Sequence, residues 1–364
     1  MRHFLTLLIL PLLIAACGGG AGTVLDRAIP DAHAADPVSG CPIGDATDRF
    51  QAMVDSAKNG RLDVPACTFN LSRTITIRDP LRIVCSNPTV NGTIFSSSAD
   101  EAMVMDPGVR ISVLLGWEKR GWEASVENCR FQPVVSGGGR HGLVWRVRTG
   151  YFISSSSIKN NHFGGFSRQG LYLDNSAGNL DGIFTTTVEK NFIENGVLGV
   201  NLGDSVHFID NVVPDGVNKP GLPGFDLSFV PGAAESALIR NNVTTSGGCF
   251  LIRNGTGIGL LHNWCESAGA GASVGLLQLN NCAECTVRDN RVQTLGGNAP
   301  YALAINGGEL NVIDSNKFNV GKAGHISFAN TKQNRLTGLN RFIGEGDVLT
   351  GKILGGDSGL VTNP

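Results

Sequence analysis

Asp174, Asp226 and Arg253 are the residues whose types and spacing suit acid–base chemistry, with Arg146, Tyr172, Asn201 and Gln278 around them as candidate substrate contacts. They sit in short apolar-x-apolar segments such as Leu171-Tyr172-Leu173-Asp174, Val200-Asn201-Leu202, Phe225-Asp226-Leu227, Phe250-Leu251-Ile252 and Leu277-Gln278-Leu279. In an extended strand the flanking apolar residues face inward and the middle one outward. Aligned, the segments give two outward columns. One reads Val144, Tyr172, Asn201, Asp226, Leu251, Gln278, Ala304, Ser327; the other reads Arg146, Asp174, Gly203, Ser228, Arg253, Asn280, Asn306, Ala329. Asp174 and Asp226 fall two strands apart, roughly 10 Å along the stacking direction. That is at or just beyond the upper end of the separation used by inverting glycosidases, about 6.5 to 9.5 Å. Elimination next to a uronate carboxyl group would instead need a proton acceptor and positive charge for the enolate, for which Arg146, Arg253 and Tyr172 are available. A solvated face held by salt bridges is the alternative.

What must position these residues is a repeat. An apolar residue, two free positions, asparagine, one free position and another apolar residue recur from Ile158 to Phe342. The asparagines are Asn161, Asn191, Asn211, Asn241, Asn263, Asn290, Asn316 and Asn340, spaced 20 to 30 residues apart. This is the period of a solenoid of stacked coils. A buried amide at each bend can donate to one neighbouring coil and accept from the other, so the column satisfies itself and is structural. Val126, Cys129 and Phe131 fit the same phrase with cysteine in the asparagine place. A further column just before the asparagines, Asn160, Lys190, Asp210, Arg240, His262, Asp289 and Ser315, largely alternates in sign and reads as a surface charge ladder.

Composition agrees with many tight turns between short buried strands: 49 glycines, 16% charged and 41% hydrophobic residues in 364. A formal net charge of -2 supplies no general basic field for nucleic acid. No apolar run reaches the roughly 18 residues needed to span a bilayer. The histidines show no metal-type spacing, and neither a metal nor a cofactor is expected. Trp117 and Trp122 lie in a Gly- and Lys-bearing segment that suits either sugar stacking or burial in an irregular coil.

Arg2 and His3 precede an apolar run that ends Ile14-Ala15-Ala16-Cys17. This resembles a bacterial lipobox, which implies cleavage before Cys17, lipidation of its thiol and attachment to a membrane. Gly18-Gly19 in place of aspartate implies the outer membrane. An ordinary signal cleaved after Ala34 is the alternative. Residues 1–16 are then a signal, 17–40 a tether, and 41–364 the folded body. Eight cysteines remain, compatible with disulfides of undetermined pairing. Cys282-x-x-Cys285 reads as a local disulfide or two inert thiols.

Between residues 41 and 80 the pattern changes. Phe50, Met53, Val54 and Ala57 make one helical face, with Asp45 or Thr47 available as a cap. Leu62, Val64, Phe69, Leu71, Ile75 and Ile77 alternate as strands. The string Asp45, Thr47, Phe50, Gln51, Val54, Asp55, Ala57, Gly60, Val64, Pro65, Phe69, Leu71 resembles the first segment of pectate-lyase-like and phage-tailspike β-helices. That resemblance implies an all-β, right-handed parallel β-helix with an N-terminal helical cap, regular coils over 158–342, and a substrate lying along the outside of the strands named first. It implies an extracellular polysaccharide as partner and a lyase, hydrolase or epimerase activity, or else a non-catalytic carbohydrate-binding surface protein. The Asn-Thr-Asp, Gly-Asp-Asp, Gly-His-Gly and Arg-Ile-Lys signatures of polygalacturonases are missing, and Arg140-His141-Gly142 is a fragment of one.

Overall fold

In the computed structural model the described residues are 40–57, 60–86, 92–106, 109–110, 123–178, 182–214, 222–232, 236–245, 247–267, 275–294, 299–319, 325–337, 339–343, 353–359 and 361–363. The signal, the tether through residue 39 with Cys17, and Trp117 and Trp122 lie outside them. The chain is a right-handed parallel β-helix. Three parallel sheets of 12, 11 and 11 strands each take one strand per coil. In one coil, Thr186–Glu189 lies in the 12-stranded sheet, Phe192–Ile193 beyond the asparagine bend, and Val197–Leu202 in the sheet that carries the candidate chemistry. These are called below the first, second and third sheets. Val109–Arg110 pairs antiparallel with Tyr151–Phe152, outside the three sheets.

Inward residues stack like with like. Phe69, Phe95, Phe131 and Phe163 run up the second sheet with successive ring centroids 5.7, 5.2 and 5.0 Å apart. The helix Thr47–Ser56 closes the N-terminal end by laying Phe50 on Phe69 and Phe95, at 5.1 and 4.8 Å. Asp45 caps it from outside, accepting from Thr47 N at 3.0 Å and from Ser72 Oγ at 2.5 Å. The Ser72 and Thr47 hydrogen bonds hold its carboxyl far below the ordinary carboxylate range.

At each asparagine bend the side chain bridges three coils. Asn191 Oδ1 accepts from Asn161 N and Nδ2 at 2.9 and 3.0 Å, and Asn191 Nδ2 donates back to Ile158 O at 2.8 Å and onward to Asn211 Oδ1 at 3.0 Å. The residue before each asparagine from Asn161 to Asn316 is held at positive φ: Asn160, Lys190, Asp210, Asn241, His262, Asp289 and Ser315 fall between 54° and 57°. Non-glycine residues tolerate that region only when the surroundings over-determine it, and the amide hydrogen bonds supply the determination. The alternating-sign column is therefore a column of turn residues. Some pair weakly, as His262 does with Asp289 at 3.8 Å.

The buried member of the column is Asn242, fully enclosed, whereas Asn241 is exposed at φ 55°. Ile239, not Leu238, pairs with Phe208. Asn241 takes the turn position that the sequence pattern gave to Arg240. The doublets Leu238-Ile239 and Asn241-Asn242 satisfy the phrase in either register, and a one-residue slip exchanges inward for outward.

Disulfides join Cys41 to Cys67, Cys85 to Cys129 and Cys249 to Cys265; Cys282 and Cys285 are buried free thiols. Cys129 begins the amide column, its N–H donating to Asn161 Oδ1 at 2.9 Å. A shorter column at another bend starts from the thiol pair: Cys285 N donates to Asn311 Oδ1 at 3.0 Å, Asn311 Nδ2 to Asn334 Oδ1 at 2.8 Å, and Asn334 Nδ2 to Asp357.

Candidate functional site

The third sheet presents Tyr172 and Asp174 because its strand Leu171–Asp174 starts from a close-packed glycine. A Cβ on Gly170 would come within 2.6 Å of Phe163 Cβ, so only glycine lets the chain turn this tightly from the second sheet into the third. Leu171 and Leu173 are then buried, and Tyr172 stands half-exposed between them. Register puts Val144, Tyr172, Leu198, Asp226, Leu251, Gln278, Ala304 and Ser327 in one outward column. The second column runs Arg146, Asp174, Val200, then Ser228, Arg253, Asn280, Asn306 and Ala329.

Asn201 does not belong to the first column as expected. The pairing of Val197–Leu202 with Pro223–Phe229 shifts between Gly199 and Leu202, and Asn201 sits in that irregularity at φ 49° with its N–H bonded to Ser228 Oγ at 3.0 Å. A bulge inserts one residue and re-aims the side chains beyond it. Leu198 and Val200 thus occupy the places the sequence pattern gave to Asn201 and Gly203, and the outer face at this coil is apolar.

The other expected residues separate into two charge centres. In the first, Arg146 donates from Nη2 and Nη1 to Glu101 at 2.6 and 3.1 Å, and from Nε to Asp174 Oδ2 at 3.0 Å. Asp174 also accepts from Ser176 N at 3.1 Å and from Ser176 Oγ. Burial pushes the Asp174 carboxyl up, but the hydrogen bonds from Ser176, Arg146 and Tyr172 outweigh it and hold the group below the ordinary carboxylate range. It is an anion at neutral pH. Tyr172 moves the opposite way: burial, with the Asp174 charge beside it, raises its phenol above the usual 10.0, so it keeps its proton.

His141, which the pattern did not single out, completes this centre. It is 5% exposed, its ring lies 5.1 Å from that of Tyr172, and its Nδ1 is 2.7 Å from the Gln169 carbonyl. A carbonyl only accepts, so Nδ1 carries the hydrogen and the neutral ring keeps its lone pair on Nε2. Burial lowers the imidazole below its ordinary 6.5, which favours that neutral form.

In the second centre Arg253 Nη1 donates to Asp226 Oδ1 at 2.5 Å. Their adjacent coils were legible, and the two side chains do meet. Gln278 lies in the next coil but donates to Gly275 O of its own strand at 2.9 Å. Asp174 and Asp226 stand two coils apart with Val200 and Leu198 between them. Among the described residues no group of three His, Cys, Asp or Glu side chains gathers to hold a metal.

No protein-family profile matches the chain. No curated protein matches it by sequence either. Solved structures do match in shape. A DFA-IIIase from Arthrobacter chlorophenolicus A6, without its lid and in complex with GF2, aligns at TM-score 0.66 and 13% identity over 90% of this chain and 93% of that one. The A-module of the mannuronan C-5 epimerase AlgE4 of Azotobacter vinelandii aligns at 0.53 and 10% over 84% and 86%. The tailspike gp49 of Acinetobacter baumannii bacteriophage Fri1, a capsular polysaccharide depolymerase, aligns at 0.53 and 14% over 85% and 61%. At such identities the likeness carries the β-helix fold alone.

Proposed function

We propose that this chain is an exported, lipid-anchored outer-membrane protein that binds an acidic extracellular polysaccharide across the outer face of its third sheet and acts on it by proton transfer at a uronate residue. The observation that carries this reading is the cluster of His141, Tyr172, Asp174 and Arg146: a neutral imidazole with a free lone pair, a phenol that holds its proton, an ionised carboxylate and a guanidinium within one patch. Proton abstraction next to a carboxyl group needs a base, a cation to stabilise the enolate, and an acid to return a proton or assist the leaving group. His141 Nε2, Arg146 and Tyr172 supply these three in turn.

Hydrolysis is less well supported. It requires one carboxyl group to carry a proton at working pH, whereas Asp174, the carboxylate beside Tyr172, is held ionised. Lyase or epimerase chemistry is therefore favoured. The three enzymes similar in shape act, by their names, on mannuronan, on DFA-III and on capsular polysaccharide, which supports a carbohydrate ligand. Export is supported by the run ending Ile14-Ala15-Ala16-Cys17.

A second reading, non-catalytic binding, draws on a specific observation: Arg146 is already paired with Glu101 and Asp174, and Arg253 with Asp226. The test is a panel of acidic and neutral glycans. New ultraviolet absorbance from unsaturated uronates indicates a lyase, and uptake of solvent deuterium without cleavage indicates an epimerase. Retention on a glycan array with neither signal would assign the face to binding alone.

A further inference from the structure

The outer face of the second sheet carries a stripe that the proposed activity does not use. Register aligns His162, Phe192, Val212, Val243, Trp264, Arg291, Lys317 and Arg341 in one outward column. After His162 its first part is apolar, with Val212 42% and Trp264 40% exposed. Its second half is cationic and exposed. The Arg291 guanidinium lies over the Trp264 ring, 4.6 Å from its centroid, and joins the two halves.

The cations are distinguished by their stacking. Several bases on the other two sheets meet acids, as in Lys159–Glu189–Lys190, Arg288–Asp314, Arg82–Glu127 and Arg253–Asp226, and the exposed Arg240, Arg335 and Lys332, which form no ion pair among the described residues, have no cation opposite them on the neighbouring coils. Among the described residues Arg291, Lys317 and Arg341 form no ion pair, although they stack on successive coils about 4.8 Å apart. Like charges directly opposite one another across strands are destabilising. Beside them run Gln293 and Asn319, with Glu266 as the carboxylate in the Trp264 coil. Gln293 Oε1 accepts from Arg291 Nη2 at 3.0 Å and leaves its amide hydrogens for other acceptors.

We infer that this stripe is a second binding strip for an acidic polysaccharide, separate from the third-sheet site. A coil spacing of about 4.8 Å is near the length of one sugar residue in an extended chain, so successive carboxylates can meet successive cations. The exposed part of the Trp264 indole suits contact with the apolar side of a pyranose ring, and the polymer's charge relieves the stacked repulsion.

The test is titration of the full-length chain with polygalacturonate at low and high salt, followed by tryptophan fluorescence, with neutral dextran and phosphatidylglycerol vesicles in parallel. Removal of three exposed cations in Arg291→Ala/Lys317→Ala/Arg341→Ala should weaken polygalacturonate binding about tenfold at low salt and flatten its salt dependence. Trp264→Phe should remove the fluorescence change, while Arg335→Ala, which removes an exposed cation of the first sheet, should preserve both, so a loss is read as the strip's own and apart from turnover at the third sheet. Circular dichroism of the triple variant should match that of the parent, since all three side chains are exposed. Equal polygalacturonate affinity of the triple variant and the parent would overturn the inference. So would equal affinity for dextran, tighter vesicle binding through the same residues, or self-association that the triple variant abolishes, each of which assigns the stripe to another occupant.

Discussion

Replacing Asn242 by alanine removes four side-chain hydrogen bonds: those from Asn211 N and Nδ2 to its Oδ1 at 3.0 and 2.9 Å, and those from its Nδ2 to Phe208 O and Asn263 Oδ1, each 3.0 Å. At about 1 kcal/mol net per bond the loss is roughly 4 kcal/mol, and the buried Asn211 N–H left without its acceptor adds to it. Asn211 Nδ2 keeps Val188 O, and Asn263 Oδ1 keeps Asn242 N, so the damage stops at the adjoining coils. Replacing the neighbouring Asn241 removes no ladder bond. It places alanine at φ 55°, which costs about 1 kcal/mol. The two variants differ by one position in a doublet of identical residues, yet should differ by roughly 3 kcal/mol, a large part of the 5 to 15 kcal/mol of an ordinary domain. Urea denaturation followed by far-ultraviolet circular dichroism reads this as a lower midpoint for Asn242→Ala than for Asn241→Ala. Equal midpoints, or the reverse order, would refute the assigned register and the view that the amide column holds the coils together.

Mass mapping under non-reducing conditions should recover Cys41–Cys67, Cys85–Cys129 and Cys249–Cys265, with Cys282 and Cys285 alkylated only after unfolding. Cys129→Ser, which opens a cross-link spanning 44 residues, should cost about 3 to 4 kcal/mol by the same urea assay. Gly308→Ala should destabilise by about 2 to 4 kcal/mol, because the residue has φ +81° and its Cβ would fall 1.9 Å from Cys282 O. Activity should be flat through neutral pH. Since burial depresses His141, the base is lost only as pH falls below 6.5; since Tyr172 is raised, the acid is lost only above 10.0, and kcat/KM against pH should show both limbs outside that window.

The solenoid was legible because its signals are periodic. Each regular coil repeats the same amide bend, and the cap lays Phe50 on Phe69 as the coils stack phenylalanine on phenylalanine. Legibility failed where two adjacent residues satisfy the phrase equally, as at Asn241-Asn242, and where a bulge inserts a residue that pattern alignment cannot count, as at Asn201. The pairing of Asp226 with Arg253 followed from alternation within regular coils. His141 and Glu101 were missed for a different reason: the columns were begun at Val144, three residues after His141 in the same strand, and the earlier coil that holds Glu101 lacks the asparagine marker. Extending the strand alignment back from Leu143, through its pairing with Met103, would have found both.

Proton transfer at Tyr172 is central to the proposed activity, and the direct measurement is steady-state turnover of an acidic glycan by Tyr172→Phe. The phenylalanine keeps the ring against His141 and removes only the hydroxyl. A fall in kcat of about 100-fold or more, with KM little changed and an unchanged urea midpoint, is the expected result. Full activity in the variant, or no turnover of any acidic glycan by the parent chain, would contradict it.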